Sequence, residues 1–563
     1  MNCIKPSSLV TLIMFRQFTS SYHTAILLSM AFAGLAFAAY AASDWRVSVR
    51  DHGAVGDGAA KDTAAVQRAI DACAANGGGT VLFSAGTYLC GSLHLKSNVT
   101  LHLDNGATIL GSTLKEDYDP FEKLDFKNDA DIETTYFHLA LIWGEDIERI
   151  AITGEGVIDG GFSKRGGPKP VALKRCKFVH ISGVRIINAP NYAISLLGTD
   201  YVNIDGVTIL NAFADGIDPD SCRNVRISNC HIEAIDDAIV PKASFSLGER
   251  RSCENITVTN CFLSTRCNGF KLGTESGGDF KRIAVSNCVI TGKKGKSPAI
   301  SGIALESVDG ANIDGVTVSN ITMTDVRAPI FLRLGNRGRD QATPTPGSLR
   351  NVIIDNVAAV RASLACSIAG IPGHAVEHVT LSNIRMEFLG GNPLHAPDTP
   401  MPEKEDRYPE ALMFGPMPAY ALYCRHVEGL TLSNLSVSCA PNFWRLTTDI
   451  YKNIQWSDAD EPPSDSEPGE AGHALFLDDV RELAVNGLRA QPSRDGAAVL
   501  RFNDVRKALL RGVMAKDGTQ TLLEVAGAQS AGITLAESAL QAVEKPVSLL
   551  NGVDSAAVRI TNP

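Results

Sequence analysis

Val225-Arg226-Ile227-Ser228-Asn229-Cys230, Ile256-Thr257-Val258-Thr259-Asn260-Cys261 and Ile283-Ala284-Val285-Ser286-Asn287-Cys288 are three copies of one phrase. Apolar residues alternate with polar ones before an Asn and a Cys, so each copy reads as a short half-buried strand that ends in a turn. The same apolar-x-apolar-x-Asn/Gly-apolar pattern begins at Val179, Val202, Val352, Val379, Leu430 and Leu483. Starts at 179, 202, 225, 256 and 283 are separated by 23, 23, 31 and 27 residues. That is the span of one coil in a β-solenoid rather than of a βαβ unit. One coil cannot bury its apolar face alone, whereas stacked coils place equivalent residues about 4.8 Å apart and share a core. The register predicts a side-chain ladder of Asn229, Asn260 and Asn287 at one turn.

The repeat also answers the question of size. A chain of 563 residues exceeds one ordinary globular domain, but a solenoid grows along its axis without a limit on core thickness. An all-β parallel β-helix is therefore expected over residues 91–563, with loop insertions near 395–412 and 457–472 that are rich in Pro, Asp and Glu and either wall a cleft or stay solvated. Residues 42–90 read as a cap region. Within them Asp62-Thr63 precedes Val66, Ala69, Ile70 and Cys73 at i, i+3, i+4 and i+7, ended by Asn76-Gly77-Gly78-Gly79, which predicts a capped amphipathic helix plugging the N-terminal end of the coil stack. Residues 1–41 read as an export signal: Lys5 and Arg16 precede an apolar stretch from about Ala25 to Ala39, and Ala39-Tyr40-Ala41 offers small residues for cleavage. A periplasmic or extracellular location follows as an expectation, with no membrane contact beyond that signal.

Net charge of −10 argues against a nucleic-acid partner, which needs a basic face. Cys230, Cys261 and Cys288 form one expected column and Cys176, Cys222 and Cys253 another; they read as buried free thiols packed as small hydrophobes, and bridges between stacked neighbours, which are spaced for them, are the alternative. No CxxC pair is present, so neither a metal nor a cofactor is expected.

The densest acidic phrase is Asp215-Gly216-Ile217-Asp218-Pro219-Asp220-Ser221-Cys222, followed one coil later by Asp236-Asp237-Ala238-Ile239-Val240-Pro241-Lys242. Counted from strand starts at 202 and 225, Asp215 falls at offset 13 and Asp236 and Asp237 at 11 and 12, so the three should be neighbours on adjoining coils. Crowded carboxylates repel and raise at least one pKa, which suits acid and base work. Glycoside cleavage needs such a pair. Asp218 and Asp220 read instead as turn residues that bond backbone.

These phrases, with Asp51-His52-Gly53-Ala54-Val55-Gly56-Asp57-Gly58 and Gly154-Glu155-Gly156-Val157-Ile158-Asp159-Gly160, resemble glycoside hydrolase family 28, the polygalacturonase and rhamnogalacturonase-like enzymes, over roughly residues 45–335. The resemblance implies a right-handed parallel β-helix, a pectic polysaccharide or oligosaccharide as substrate, and hydrolysis with inversion. Asp236 would be the general acid, with Asp215 and Asp237 holding and activating water. The chain departs from the family where Gly-His-Gly becomes Cys267-Asn268-Gly269 and where an Arg-Ile-Lys phrase aligns with Ala304-Leu305-Glu306. Loss of those cations disfavours a galacturonate carboxylate there, so plain polygalacturonate is not the expected best substrate. Asn268, Lys271, Glu306 and Lys242 are the candidate substrate-binding residues. Arg333, Arg337 and Arg339 form a basic loop that either contacts substrate or is solvated, and Trp143 and Tyr192 either stack on sugars or are buried. A monomer is expected. A β-helix lyase and a non-catalytic carbohydrate-binding solenoid are the competing readings.

Overall fold

The computed structural model describes residues 45–293, 297–389, 395–439, 472–493, 497–541, 543–550 and 552–561. The expected signal at 1–41 and all but the last residue of the 457–472 insertion lie outside the described residues.

Strands stack in parallel with the register that the repeat anticipates. Val179 pairs with Val202, Val202 with Val225, Val225 with Ile256 and Ile256 with Ile283. The column continues through Val316, Val352, Val379, Leu430, Leu483, Ala508 and Ile533. None of these side chains is more than 3% exposed, so each contributes roughly 1.5–3 kcal/mol of apolar burial to one continuous core, less for Ala508. Val316 opens a coil that the sequence reading passed over. A second ladder follows the turn, as where Phe262–Thr265 pairs with Val289, Ile290, Thr291 and Gly292. A third ladder joins Asn268–Leu272 to Ala299–Ser307 and that strand to Val326–Leu334. The fold is a parallel β-helix.

Asn229, Asn260, Asn287, Asn320, Asn356, Asn383 and Asn434 occupy the turn between the first two ladders with φ between 51° and 57°. Asn tolerates this left-handed conformation, and its amide bonds onward. Asn260 donates to Asn229 at 3.4 Å, Asn320 to Asn287 at 3.0 Å and Asn356 to Asn320 at 2.7 Å. The predicted ladder is broken at one rung, because Asn287 donates to the Thr259 hydroxyl at 3.4 Å instead.

The helix Thr63–Ala75 forms where predicted, and Val66, Ala69, Ile70 and Cys73 join the main core. Its expected cap does not. Asp62 makes no side-chain cap bond; its carboxylate accepts from the N–H groups of Val55 at 2.7 Å and Gly56 at 2.9 Å. Cys230, Cys261 and Cys288 stack as buried thiols, each bonded to the carbonyl two residues earlier at 3.2 Å. In the second column Thr199 intervenes between Cys176 and Cys222, since Lys177 pairs with Asp200 and Asp200 with Arg223.

The third ladder is buried on both faces. Every residue of Val326–Leu334 is buried, because residues 395–418 run across the outside as a strap without regular strands. Met401, Ala411, Phe414 and Met417 of the strap pack with Ala304, Ala328, Phe331, Leu364 and Ala369 beneath. Arg333, 1% exposed, ties it down by donating to the carbonyls of Glu403 at 2.8 Å and Lys404 at 3.1 Å. The described part of the 395–412 insertion is thus neither loose nor merely solvated.

Candidate active site

Three adjoining coils enter the third ladder at Ile217, Ile239 and Phe270, which pair in sequence. Two residues before each stand Asp215, Asp237 and Asn268, so the coil register stacks them. The Asp237 N–H donates to Asp215 Oδ1 at 3.1 Å; the Asn268 N–H and Nδ2 donate to Asp237 Oδ1 at 3.0 and 2.7 Å. Asp236, one residue earlier, completes the predicted trio. Its carboxylate, that of Asp237 and the Cys267 thiol have atoms within 4.8 Å of one another.

Two lysines lie behind the carboxylates. Lys242 Nζ is 3.0 Å from Asp215 Oδ2 and 2.8 Å from Asp218 Oδ2. Lys271 Nζ is 3.3 Å from Asp237 Oδ2 and 3.7 Å from Glu306 Oε2. Asn268 and Glu306 are 0% exposed, Lys271 2% and Lys242 4%. The structure places these four expected substrate-binding residues within the buried network: Asn268 and Lys271 on Asp237, Lys242 on Asp215, and Glu306 beside Lys271. Asp218 likewise belongs to this charge network, whereas Asp220 bonds the Ser244 N–H at 2.8 Å in the turn role expected of it.

Burial sets the electrostatics, and the cations oppose it. Burial pushes the Asp215 carboxyl well above its usual range against the pull of Lys242, with Asp236, Asp218 and Asp237 adding to the rise. Glu306 is likewise raised by burial against Lys271. Asp236 differs: burial would raise it, but the Arg165 guanidinium, Lys271 and Lys242 together hold it below the ordinary carboxylate range.

The sequence reading did not name the residues of two flanking walls, although it raised the 395–412 insertion as one that could wall a cleft. On one side Arg165 Nη1 donates to Asp236 Oδ2 at 2.5 Å, and the same guanidinium is paired with Glu133. On the other the strap brings Glu410, whose Oε2 is 4.0 Å from Cys267 Sγ, and Tyr408, 51% exposed, with Lys271 Nζ 5.6 Å from its ring centre. Burial pushes Glu410 up to about 7, with Lys271 opposing and Asp237 and Asp236 adding. Ala304, aligned with the family's Arg, is part of the apolar bed under this strap. Of the basic cluster, Arg333 anchors the strap, Arg337 pairs with Asp309 at 2.6 Å, and the partly exposed Arg339 pairs with Glu275 at 3.0 Å. Tyr192 is 4% exposed beneath Lys242 at 4.1 Å from its ring centre, and Trp143 donates to Asp119 at 2.8 Å.

Asp236 and Asp237 could offer ligands to a metal, but each already faces a cation, Arg165 and Lys271. A further positive charge would meet repulsion there. What the arrangement can do is acid and base chemistry at one solvent-reaching carboxyl beside two braced ones.

Comparison with known proteins agrees. The model for glycosyl hydrolases family 28 matches residues 94–398, and that for rhamnogalacturonase A/epimerase, pectate lyase-like proteins matches 46–115. A probable polygalacturonase of Vitis vinifera is 24% identical over 61% of this chain and 74% of its own length. The exo-poly-alpha-D-galacturonosidase of Dickeya chrysanthemi is 26% identical over 46% of this chain and 53% of its own. The hyperthermoactive exopolygalacturonase of Thermotoga maritima shares the fold, with a TM-score of 0.53 and 24% identity over 61% of this chain and 87% of that one. With a coil register that assembles the three aspartates and a family model covering more than half its length, this chain belongs to glycoside hydrolase family 28 and is a polygalacturonase-like glycoside hydrolase.

Proposed function

We propose that the protein, once exported, cleaves a pectin-type polysaccharide by inverting hydrolysis, with Asp236 as proton donor, Asp215 and Asp237 holding and activating water, and plain polygalacturonate not its best substrate. One observation carries the assignment of roles. The Asp236 side chain is 26% exposed, against 4% for Asp215 and 6% for Asp237. The carboxyl that meets the leaving oxygen must reach the cleft, whereas a water is best held by braced, deeper groups.

The substrate reading rests on the cations. Ala304 is buried under the strap and Glu306 is sealed behind Lys271. Each charge-assisted bond to a sugar carboxylate contributes about 1.5–3 kcal/mol, so losing two slows an all-uronate chain strongly. A rhamnogalacturonan-type or substituted backbone carries fewer carboxylates to satisfy. Steady-state comparison of polygalacturonate with rhamnogalacturonan oligosaccharides tests this; the expected outcome is a higher kcat/KM on the latter, and a clear preference for polygalacturonate contradicts it.

A further inference from the structure

Arg165 stands in a turn that the repeat does not explain, Gly160-Gly161-Phe162-Ser163-Lys164-Arg165-Gly166-Gly167. The Gly166 N–H is tied to the Pro190 carbonyl at 2.8 Å, which aims the Arg165 side chain back over the carboxylates. Its guanidinium is shared. Nε lies 3.0 and 3.2 Å from the two Glu133 oxygens, and Nη1 is 2.5 Å from Asp236 Oδ2.

This arrangement is in tension with the role of Asp236. A proton donor must carry its proton when the glycosidic bond breaks, but an arginine hydrogen-bonded to a carboxylate favours the ionised form. While Arg165 stays, the acid is in the wrong state. Glu133 offers a pivot, since it holds the guanidinium by other N–H groups and remains its partner if the Asp236 contact opens. Solvent access is also available, with the Arg165 side chain 45% exposed and Glu133 21%. Four cations closer to the buried carboxylates have less freedom. Lys242 and Lys271 are 5% and 2% exposed and lie behind the aspartates; Arg337 is 9% exposed on Asp309, and Arg339 27% exposed beside Glu275.

We propose that Arg165 receives a carboxylate of the substrate and, in moving to it, releases Asp236 to take up the proton that it then donates. The inference deepens the proposed function and rests on Asp236 being the acid. A uronate presents a carboxylate like that of Asp236, so Nη1 exchanges one charged acceptor for another while Nε stays on Glu133. Asp236 then binds a proton from solvent, and that proton passes to the leaving oxygen as water attacks the anomeric carbon. Once Arg165 leaves, burial favours this uptake and only Lys271 and Lys242 still oppose it; both lysines are shared with Asp215, Asp218, Asp237 and Glu306, and the other neighbours are the carboxyls of Asp215, Asp237 and Glu410 and the Cys267 thiol, whose pKa burial raises. Arg165 reads one carboxylate, which fits a backbone in which uronates alternate with neutral sugars.

The test is the pH profile of kcat/KM for wild type, Arg165→Gln, Arg165→Lys and Glu133→Gln, on a carboxylate substrate and its methyl ester. The basic limb reports the acid in the free enzyme. Arg165→Gln is expected to move that limb to higher pH by about one unit or more. At the pH optimum it should lower kcat/KM on the carboxylate substrate at least about tenfold, whereas on the basic limb it should raise kcat/KM on the ester, because Asp236 is freed without a substrate carboxylate. Arg165→Lys should fall between, because it keeps charge without the fork, and Glu133→Gln should shift the limb least. An unmoved limb in Arg165→Gln, or equal losses on both substrates, overturns the proposal. Asp236→Asn measured alongside separates the two ideas. If it is inactive and the limb stays put, the release step alone is wrong; if it is fully active, the acid assignment itself fails.

Discussion

Asp236→Asn keeps the size of the side chain and removes the acid. Turnover should therefore fall at least about 10² while the thermal unfolding midpoint changes little, because the site is partly open to solvent. Lys271 should behave in the opposite way. It is 2% exposed between Asp237 and Glu306, so Lys271→Met leaves buried carboxylates unpaired and should destabilise by about 3–5 kcal/mol in chemical denaturation. Adding Glu306→Gln should recover part of that loss; no recovery would mean that the pair is not coupled. Asp215, Asp236, Asp237 and Asn268 were legible in the sequence because counting residues from strand starts reproduces the coil register. The full burial of Glu306 was not legible, since alignment gives a position along the ladder but not what covers its outer face. Arg165 and Glu410 come from segments outside the repeat, where no register exists to count from.

Among elements, the strap and the cap helix make contrasting predictions. Ile70 of the helix Thr63–Ala75 is fully buried in the main core, so Ile70→Ala should cost about 2–5 kcal/mol of global stability. Phe414 belongs to the separate cluster between strap and third ladder. Phe414→Ala should therefore loosen the strap, speed its proteolysis and lower kcat/KM about tenfold, with a smaller shift of the main unfolding transition than Ile70→Ala. Equal global destabilisation would show that strap and coils unfold together. The helix was legible from its apolar spacing. Its capping was not, because the Asp62 carboxylate is captured by the N–H groups of Val55 and Gly56 in the turn just before the helix, a competing local bond that the apolar spacing does not show. The strap's composition marked it as irregular, but what it packs on is decided by Ala304, Ala328 and Phe331, which lie 60 or more residues away in sequence.

Across the whole molecule, stacking converts a sequence period into a cluster of carboxylates. Residues about one coil apart in sequence become neighbours about 4.8 Å apart in space. The repeat thus fixes both the core and the carboxylate column, and the irregular segments on either side supply the walls. Inversion is the claim on which the roles of Asp215, Asp236 and Asp237 depend together, since it requires a donor on one side of the sugar ring and an activated water on the other. Proton NMR of the reaction within its first minutes reads the anomer of the new reducing end directly. The account predicts that the anomer opposite to the cleaved linkage appears first and the other only later by mutarotation. First release of the same anomer, or of an unsaturated product, would contradict it.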